Sequence, residues 1–213
     1  MRFSSWALVV LFLLPAISAA GQANSGVQLF AGYSAEEVST CGTAGDTFLT
    51  CSGFMETGYS SAASYNGWNA AFTVFLPKLI GLTADFAGHY GSTIIRQASA
   101  STSRYSFMGG PTAAFSIRGY TPFAHALFGG VYNHFGAFSY PGGSSTVPNY
   151  TKFSWMIGGG LDIGIWRRFA IRVGEFDYER VNVPAAYGSY PAIGGFRFST
   201  GVVFRSVSGP AHP

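Results

Sequence analysis

Residues 81–90 read GLTADFAGHY, and this stretch decides how the rest of the chain is interpreted. At a period of two, one face carries Leu82, Ala84, Phe86, Gly88 and Tyr90, and the other carries Thr83, Asp85, Ala87 and His89. The alternation predicts a β-strand with one apolar and one polar face. In a water-soluble protein the polar face would be outside. In an outer-membrane barrel the apolar face meets lipid and the polar face fills the interior.

The composition favours a surface that faces something other than water. Of 213 residues, 48% are hydrophobic and only 10% are charged, against about 25% charged in an ordinary soluble domain. Aromatic residues make up 17% of the chain and there are 29 glycines, which suits tight sheet packing and anchoring at a membrane interface. The formal net charge is +3, and no basic cluster indicates a nucleic-acid partner.

The N-terminus has the pattern of a cleaved secretory signal peptide. Arg2 supplies the positive charge, residues 6–14 form an apolar run, and Ser18 and Ala20 satisfy the small-x-small cleavage rule. No later segment offers 18 continuous apolar residues, so we predict no transmembrane helix. The mature protein is therefore expected to be exported.

Cys41 and Cys51 are the two cysteines of the chain. In an exported protein they are expected to form a disulfide that closes a small loop. A loop of that size restrains the unfolded chain by roughly 2–3 kcal/mol in the chain-entropy model. A metal site built on two thiols lacks nearby histidines, so the sequence predicts neither a metal nor another cofactor.

Eight segments of alternating character follow the signal peptide, with lengths that suit membrane-spanning strands of about 9–11 residues. They are residues 25–38, 65–76, 81–91, 104–118, 122–135, 152–165, 169–181 and 195–206. The connections alternate between short (77–80, 119–121 and 166–168) and long (39–64, 92–103, 136–151 and 182–194). This asymmetry is typical of outer-membrane barrels, whose short turns face the periplasm.

We therefore predict an all-β fold, an eight-stranded antiparallel up-and-down transmembrane β-barrel with both termini on the periplasmic side of a bacterial outer membrane. Closure leaves no unpaired strand edge in lipid. The expected division is residues 1–20 as signal peptide, 21–206 as the barrel domain and 207–213 as a C-terminal tail.

Aromatic residues gather near the predicted strand ends, where two interfacial belts would lie. Those expected on the long-loop side are Tyr33, Tyr65, Trp68, Tyr90, Tyr105 and Tyr132, and those on the short-turn side are Phe75, Trp166 and Phe204.

The seventh segment breaks the alternation. Arg172 and Glu175 are an odd number of residues apart, so a regular strand would send one of them into lipid. A bulge at Gly174 would place Arg172, Glu175, Asp177 and Glu179 inside, with Val173, Phe176 and Tyr178 outside. We predict that bulge.

The inward faces carry a set of ionisable side chains that would lie together in the barrel. The set is Asp85, His89, His125, Asp162, Arg172, Glu175, Asp177 and Arg197, with Arg118 near the periplasmic rim. Buried charges must be paired and hydrogen-bonded, so we expect Arg172 and Arg197 to face Asp162, Asp85 and Glu175. The favoured interpretation is a salt-bridged plug, and the alternative is a narrow, gated path for ions or small solutes through the same residues.

Several strings of the sequence resemble one family. They are residues 81–91 (GLTADFAGHYG), 121–129 (TPFAHALFG), 158–162 (GGGLD), 169–172 (FAIR), 176–178 (FDY) and 196–205 (FRFSTGVVFR). The chain is similar, over about residues 27–205, to the small outer-membrane β-barrel proteins of the OmpA-like and opacity-porin superfamily, especially the exported forms common in acidobacteria. The resemblance implies an eight-stranded barrel in the outer membrane. None of the strings is catalytic.

Other functions have weaker support in the sequence. Lipid-modifying barrels use a His-x-Ser pair or a His, Asp and Ser set, and only His89 with Ser92 approaches that pattern. We therefore predict a structural or surface-interaction protein that is not an enzyme. Its expected partners are outer-membrane lipid, the barrel-assembly machinery, and extracellular ligands at the long loops.

Overall fold

The computed structural model describes residues 26–39, 62–76, 79–95, 98–140, 143–145, 149–181 and 193–206. The signal peptide, the disulfide between Cys41 and Cys51 and the tail at 207–213 lie outside these residues and stay predictions. Within the described ranges, no helix is long and apolar enough to cross a membrane.

Ten strands make up the described structure, and eight of them form a closed barrel. The strands are β1 (Gly26–Ser39), β2 (Ala62–Phe75), β3 (Ile80–Ile95), β4 (Ala98–Ala114), β5 (Tyr120–Phe135), β6 (Phe138–Tyr140), β7 (Gly143–Ser145), β8 (Tyr150–Gly164), β9 (Phe169–Val181) and β10 (Ile193–Arg205). The order around the barrel is β1-β10-β9-β8-β5-β4-β3-β2, and all pairs are antiparallel. Pairing of β1 with β10 closes the barrel, so the predicted closed, eight-stranded antiparallel barrel is confirmed.

The stretch that opened the sequence analysis lies in β3, and its polar face turns inward. Asp85 and His89 are each 1% exposed, whereas Leu82 is 59% and Phe86 50% exposed. Successive side chains of a strand point to opposite faces, so every second residue of β3 enters the barrel. The alternation therefore has the orientation of a membrane barrel.

The fourth strand ends earlier than the sequence indicated. β4 ends at Ala114, and the chain reverses through residues 115–119, where Ile117 and Tyr120 form an isolated bridge. Arg118 has a φ of 48° and Gly119 a φ of 89°. Left-handed residues reverse the chain instead of extending it. Arg118 is consequently exposed in the turn, and its expected inward position was wrong.

The expected loop at 92–103 is mostly strand. β3 and β4 remain paired as far as Ile95 with Ala98, so a long hairpin extends the barrel on this side. The serine-rich composition suggested a loop. However, Thr93, Ile94 and Ile95 are β-branched residues that favour extended backbone, and no proline interrupts them. The connection at 136–151 also contains paired strands, the short β6 and β7.

The predicted bulge is present in β9. Two consecutive residues of β8 pair with Gly174 and Arg172, so Val173 is passed over, and the register against β10 shifts at the same place. The extra residue lets both Arg172 and Glu175 enter the barrel while Val173 and Phe176 stay exposed. The bulge thus keeps every charge of this strand segment out of the lipid.

Deleting Gly174 is expected to leave a folded barrel. The register with both neighbours then becomes continuous, and Arg172 and Glu175 lie two positions apart on the same inner face. Migration of unheated against heated protein on a gel measures the folded fraction. The matched control is deletion of Gly159 in β8, a strand without an extra residue. This deletion reverses the faces of the side chains on one side of the deleted position, so either Asp162 or the inward residues before it would face lipid. Equal loss of the folded band in the two variants would contradict the bulge assignment.

Candidate functional site in the barrel interior

The barrel interior holds all eight ionisable side chains of the predicted set. Each of them is at most 7% exposed: Asp85, His89, His125, Asp162, Arg172, Glu175, Asp177 and Arg197. They come from β3, β5, β8, β9 and β10, and each occupies an inward position of its strand. The side chains form three clusters between the short-turn end and the long-loop end.

The central cluster is built around Arg197 on β10. Its Nη1 lies 2.8 Å from Asp85 Oδ1, its Nε donates to Asp177 Oδ2 at 3.0 Å, and its Nη2 lies 3.5 Å from Glu175 Oε1. Asp85 is on β3, three strands away around the barrel, so this contact crosses the interior. One guanidinium thus joins three carboxylates from two sides of the barrel.

The turn-side cluster lies nearer the short connections and centres on Arg172. Its Nε donates to Asp162 Oδ1 at 2.8 Å, and its Nη1 pairs with Glu175. The guanidinium carbon lies 4.2 Å from the ring centroid of Phe30 and 4.1 Å from that of Phe123, so two aromatic faces enclose the cation. Cation–π contacts of this kind stabilise a desolvated guanidinium. The structure therefore brings together both arginines and the three carboxylates that the sequence analysis paired with them.

Asp162 has further partners in this cluster. Gln28 Nε2 donates to its Oδ2 at 2.8 Å, and Arg205 Nη2 lies 3.2 Å from the same oxygen. Gln28 is on β1 and Asp162 on β8, again three strands apart. A second contact thus crosses the interior at this level.

The loop-side cluster was largely missed from the sequence. Arg104 Nε lies 3.0 Å from Glu36 Oε1, and its Nη2 lies 2.7 Å from Glu179 Oε2. Ser154 Oγ donates to Glu179 Oε1 at 2.8 Å. The alternation of β1 could have identified Glu36, because Glu36 is an even number of residues from Gln28, which points inward. The sequence analysis places Glu179 inside through the bulge but does not include it in the interior set.

His89 connects this cluster to a serine. Its Nε2 lies 2.9 Å from Ser34 Oγ, and its Nδ1 lies 3.3 Å from Glu36 Oε2. Serine, histidine and carboxylate thus lie in the order of a hydrolytic triad, but Glu36 accepts no hydrogen bond from His89, and the contact between them is one of distance alone. Ser34, however, is 0% exposed, so no substrate reaches its hydroxyl, and Ser92 is exposed away from the buried imidazole. The contacts suit a hydrogen-bonded packing role for His89.

The one group among the described residues with the spacing of a metal site is His125, Glu175 and Asp177, whose ligand atoms all lie within 4.8 Å of one another. His125 Nε2 is already bonded to Asp177 Oδ1 at 2.7 Å. Both carboxylates also contact the Arg197 guanidinium, which would repel a cation bound beside it. The donor set therefore suits an ion-pair cluster and does not fit a metal centre.

Apolar side chains fill much of the remaining interior on the β4–β9 side. Met108, Leu127, Val131, Met156 and Val181 form one buried cluster. Eight-stranded barrels enclose a space that side chains nearly fill. The charged clusters and this apolar cluster together make the interior a packed core.

The outer surface is apolar over the middle of the barrel. Large outward side chains that are at least two-fifths exposed include Leu29, Leu82, Phe86, Phe107, Phe128, Phe153, Ile157, Ile171, Val173, Phe176 and Val202. Monomeric soluble proteins rarely expose a continuous apolar area of this extent. The surface is that of a protein surrounded by lipid.

Aromatic belts border this surface at both ends, as predicted. On the long-loop side, the ring centroid of Tyr105 lies 5.9 Å from that of Tyr90 and 6.4 Å from that of Tyr132. On the short-turn side, Phe169 lies 6.3 Å from Trp166 and 5.4 Å from Phe204 by ring centroids. Such belts lie at the two membrane–water interfaces.

Tyr65 does not belong to the long-loop belt, which corrects the sequence analysis. It is 6% exposed and packs inside the barrel with Val38 and Ala63. Trp68 on the same strand is 45% exposed, and two residues an odd number apart in a regular strand cannot share a face.

A closed eight-stranded barrel with an apolar exterior, aromatic belts and a filled polar interior has the architecture of a small outer-membrane β-barrel protein. No protein-family model matches the chain, and no curated protein matches it. Solved structures do.

The structural neighbours are outer-membrane and surface proteins. Ail, the attachment invasion locus protein of Yersinia pestis, has a TM-score of 0.52 at 18% identity, and the match covers 86% of this chain and 100% of that chain. Ail in complex with the heparin analogue sucrose octasulfate has a TM-score of 0.52 at 17% identity, with coverage of 86% and 100%. Neisserial surface protein A has a TM-score of 0.58 at 11% identity, with coverage of 85% and 98%. At these identities the likeness shows a shared fold.

Proposed function

We propose that this outer-membrane barrel has a structural or surface-interaction role and that its interior is a closed, salt-bridged plug. The observation that carries the proposal is the set of contacts across the interior. Arg197 to Asp85, Arg104 to Glu36 and Arg104 to Glu179 each join strands that are three positions apart in a ring of eight. Contacts that cross the interior obstruct a water path at their level.

The packing of the interior supports the same role. Among the described residues, the arginines of the three clusters each contact at least two carboxylates at 3.5 Å or less. Side chains held by several charge-assisted bonds are costly to move, since removing one partner leaves a buried charge unpaired. A conduction path would need some of these bonds to open.

The finer parts of the proposal concern targeting and assembly. We propose that the chain is of the acidobacterial type within the OmpA-like and opacity-porin superfamily, that residues 1–20 direct export, and that Cys41 and Cys51 form a disulfide in the first long loop. The barrel-assembly machinery inserts it with the short turns and both termini on the periplasmic side, as is usual for such barrels.

Surface interaction is assigned to the long-loop end. The extended β3–β4 hairpin and the β6–β7 hairpin lie in the connections on that side, and binding residues are concentrated on loops held by a rigid scaffold. Ail binds a heparin analogue in its solved complex. In the sequence, the long connections and the strand residues beside them contain three cations (Arg96, Lys152 and Arg180) and three acids (Glu37, Asp46 and Glu56). This balance favours an uncharged extracellular ligand over a polyanion.

The plug is tested by conductance in planar bilayers. We expect no steady, reproducible current steps from the wild-type protein under an applied voltage. Insertion is verified on the same preparation by the shift between unheated and heated bands on a gel. Regular unitary steps from folded protein would contradict the plug and support the porin-like alternative.

A further inference from the structure

The short connections of the barrel carry a concentrated positive charge. Lys78 lies in the connection between β2 and β3, Arg118 in that between β4 and β5, and Arg167 with Arg168 in that between β8 and β9. None of these connections contains an aspartate or glutamate. The nearest acid along the chain is Asp162, which is buried and already bonded to Arg172 and Arg205.

Three of these cations are brought onto one side of the rim. The turns that hold Arg118 and Arg167 with Arg168 are neighbours, since β5 pairs with β8 and Gly164 N donates to Gly119 O at 2.8 Å. All three arginine side chains are exposed. The turns thus form a basic rim, defined here as Arg118, Arg167 and Arg168.

The basic rim lies at the edge of the apolar surface. Trp166, directly before Arg167, is 75% exposed, and Ile165 is 52% exposed. In the other turn Ile117 and Tyr120 are 43% and 53% exposed. Aromatic side chains of this kind lie at the boundary between hydrocarbon and headgroups. Arg118 directly follows Ile117, and Arg167 directly follows Trp166. Since adjacent Cα atoms are only about 3.8 Å apart, we place the rim arginines at headgroup depth.

The charge is asymmetric across the barrel. The short connections contribute four cations and no acid, whereas the long connections contribute one cation, Arg96, and two acids, Asp46 and Glu56. Lipid phosphates are the anions present at headgroup depth, and a planar guanidinium binds phosphate oxygens through two parallel hydrogen bonds. Basic clusters beside a membrane-spanning segment recognise anionic lipid in this way.

We propose that the basic rim binds the phosphate groups of anionic phospholipids in the leaflet that the short turns face. The proposal rests on the membrane placement given under the proposed function. It assigns Arg118, Arg167 and Arg168 to selection among the lipids around the barrel, a role independent of the charged interior.

Quenching of Trp166 by brominated lipids provides the test. The chain has four tryptophans, so W6F, W68F and W155F together leave Trp166 alone. This protein is placed in vesicles that contain either brominated phosphatidylglycerol or brominated phosphatidylcholine in an otherwise identical mixture. We expect the anionic lipid to be preferred at Trp166 by about fivefold, the effect of roughly one arginine near an anionic surface.

The combined substitutions R118Q, R167Q and R168Q are expected to bring the preference for the anionic lipid close to one. In the protein with its basic rim intact, 1 M NaCl should reduce the preference, because salt screens exposed charges. R180Q, an exposed arginine of β9 nearer the long-loop end, is the matched control and should leave the preference unchanged. A protein that retains only Trp68, in the opposite belt, should not respond to the rim substitutions.

The two proposals fail in different ways. Equal quenching of Trp166 by both brominated lipids would overturn lipid selection by the basic rim, while membrane placement stands. No quenching by either lipid would contradict the membrane placement itself. Both vesicle leaflets contain the brominated lipid, so the result does not depend on the direction of insertion.

Discussion

Replacing Arg197 with methionine is expected to lower the free energy of unfolding of the barrel by about 3–5 kcal/mol. Arg197 is 2% exposed and is the shared partner of Asp85, Asp177 and Glu175. Its loss leaves the charges of three carboxylates without their common cation inside a packed core. Breaking a buried pair in this way costs more than the pair contributes, because the remaining charge is desolvated and unpaired.

Urea unfolding in phosphatidylcholine vesicles, followed by the folded band on unheated gels, measures the effect. The matched control is R180M, which removes an exposed arginine and should change the stability by less than about 0.5 kcal/mol. If R197M does not fold, R197K is expected to retain the folded band, because it keeps the positive charge among the carboxylates. Adding D85N to R197M should restore part of the loss, since one of the unpaired charges is then removed.

Equal stabilities of R197M and R180M would contradict the role assigned to the central cluster. Strict additivity of R197M and D85N would do the same, because residues that share one ion pair must show a coupling energy.

Replacing Phe86 with arginine is expected to destabilise the folded barrel by about 2–4 kcal/mol, the cost of arginine on the lipid face at the middle of the bilayer. Phe86 is 50% exposed on β3, midway between Leu82 and the Tyr90 belt. Its neighbour Asp85 is buried in the central cluster and keeps its partners. The loss of stability in F86R therefore measures the contact of position 86 with lipid and not a change in the barrel interior.

Position-matched controls separate depth from charge. Ile80 is 59% exposed at the short-turn end of the same strand, and I80R should cost only about 0–1 kcal/mol because the interface hydrates the charge. The same unfolding measurement applies in vesicles. A cost for F86R no larger than that for I80R would show that no hydrocarbon layer surrounds the middle of the barrel.

The strand content was predictable because each strand carries its own pattern. The alternation at 81–90 predicts the orientation of β3, and the odd spacing of Arg172 and Glu175 predicts the bulge of β9. These are local properties, fixed by the period of two and by the cost of charge in lipid. The ends of strands were less accessible. At 92–103 composition suggested a loop, while long-range pairing between β3 and β4 extended both strands.

The loop-side cluster shows why part of the interior escaped prediction. Glu36 stands beside Glu37 in the sequence, and the alternation of β1 sends the first inward and the second outward, but it does not indicate which cation Glu36 meets. Arg104 finds Glu179 75 residues away in sequence. A local sequence pattern does not indicate a contact between residues so far apart in the chain.

The sequence by itself determined a membrane barrel. The alternation, the low charge and the pattern of short and long connections can each be read from the chain, and together they place the apolar faces of the strands in lipid. Only the tertiary structure decided the ion pairs of the loop-side cluster. Arg104 contacts Glu36 and Glu179 because closure of the barrel brings β1 and β9, each three strands away from β4, within reach of one guanidinium. It also decided that Arg118 leaves the interior and lies beside Arg167 and Arg168, since β4 ends at Ala114 and Arg118 belongs to the turn that follows.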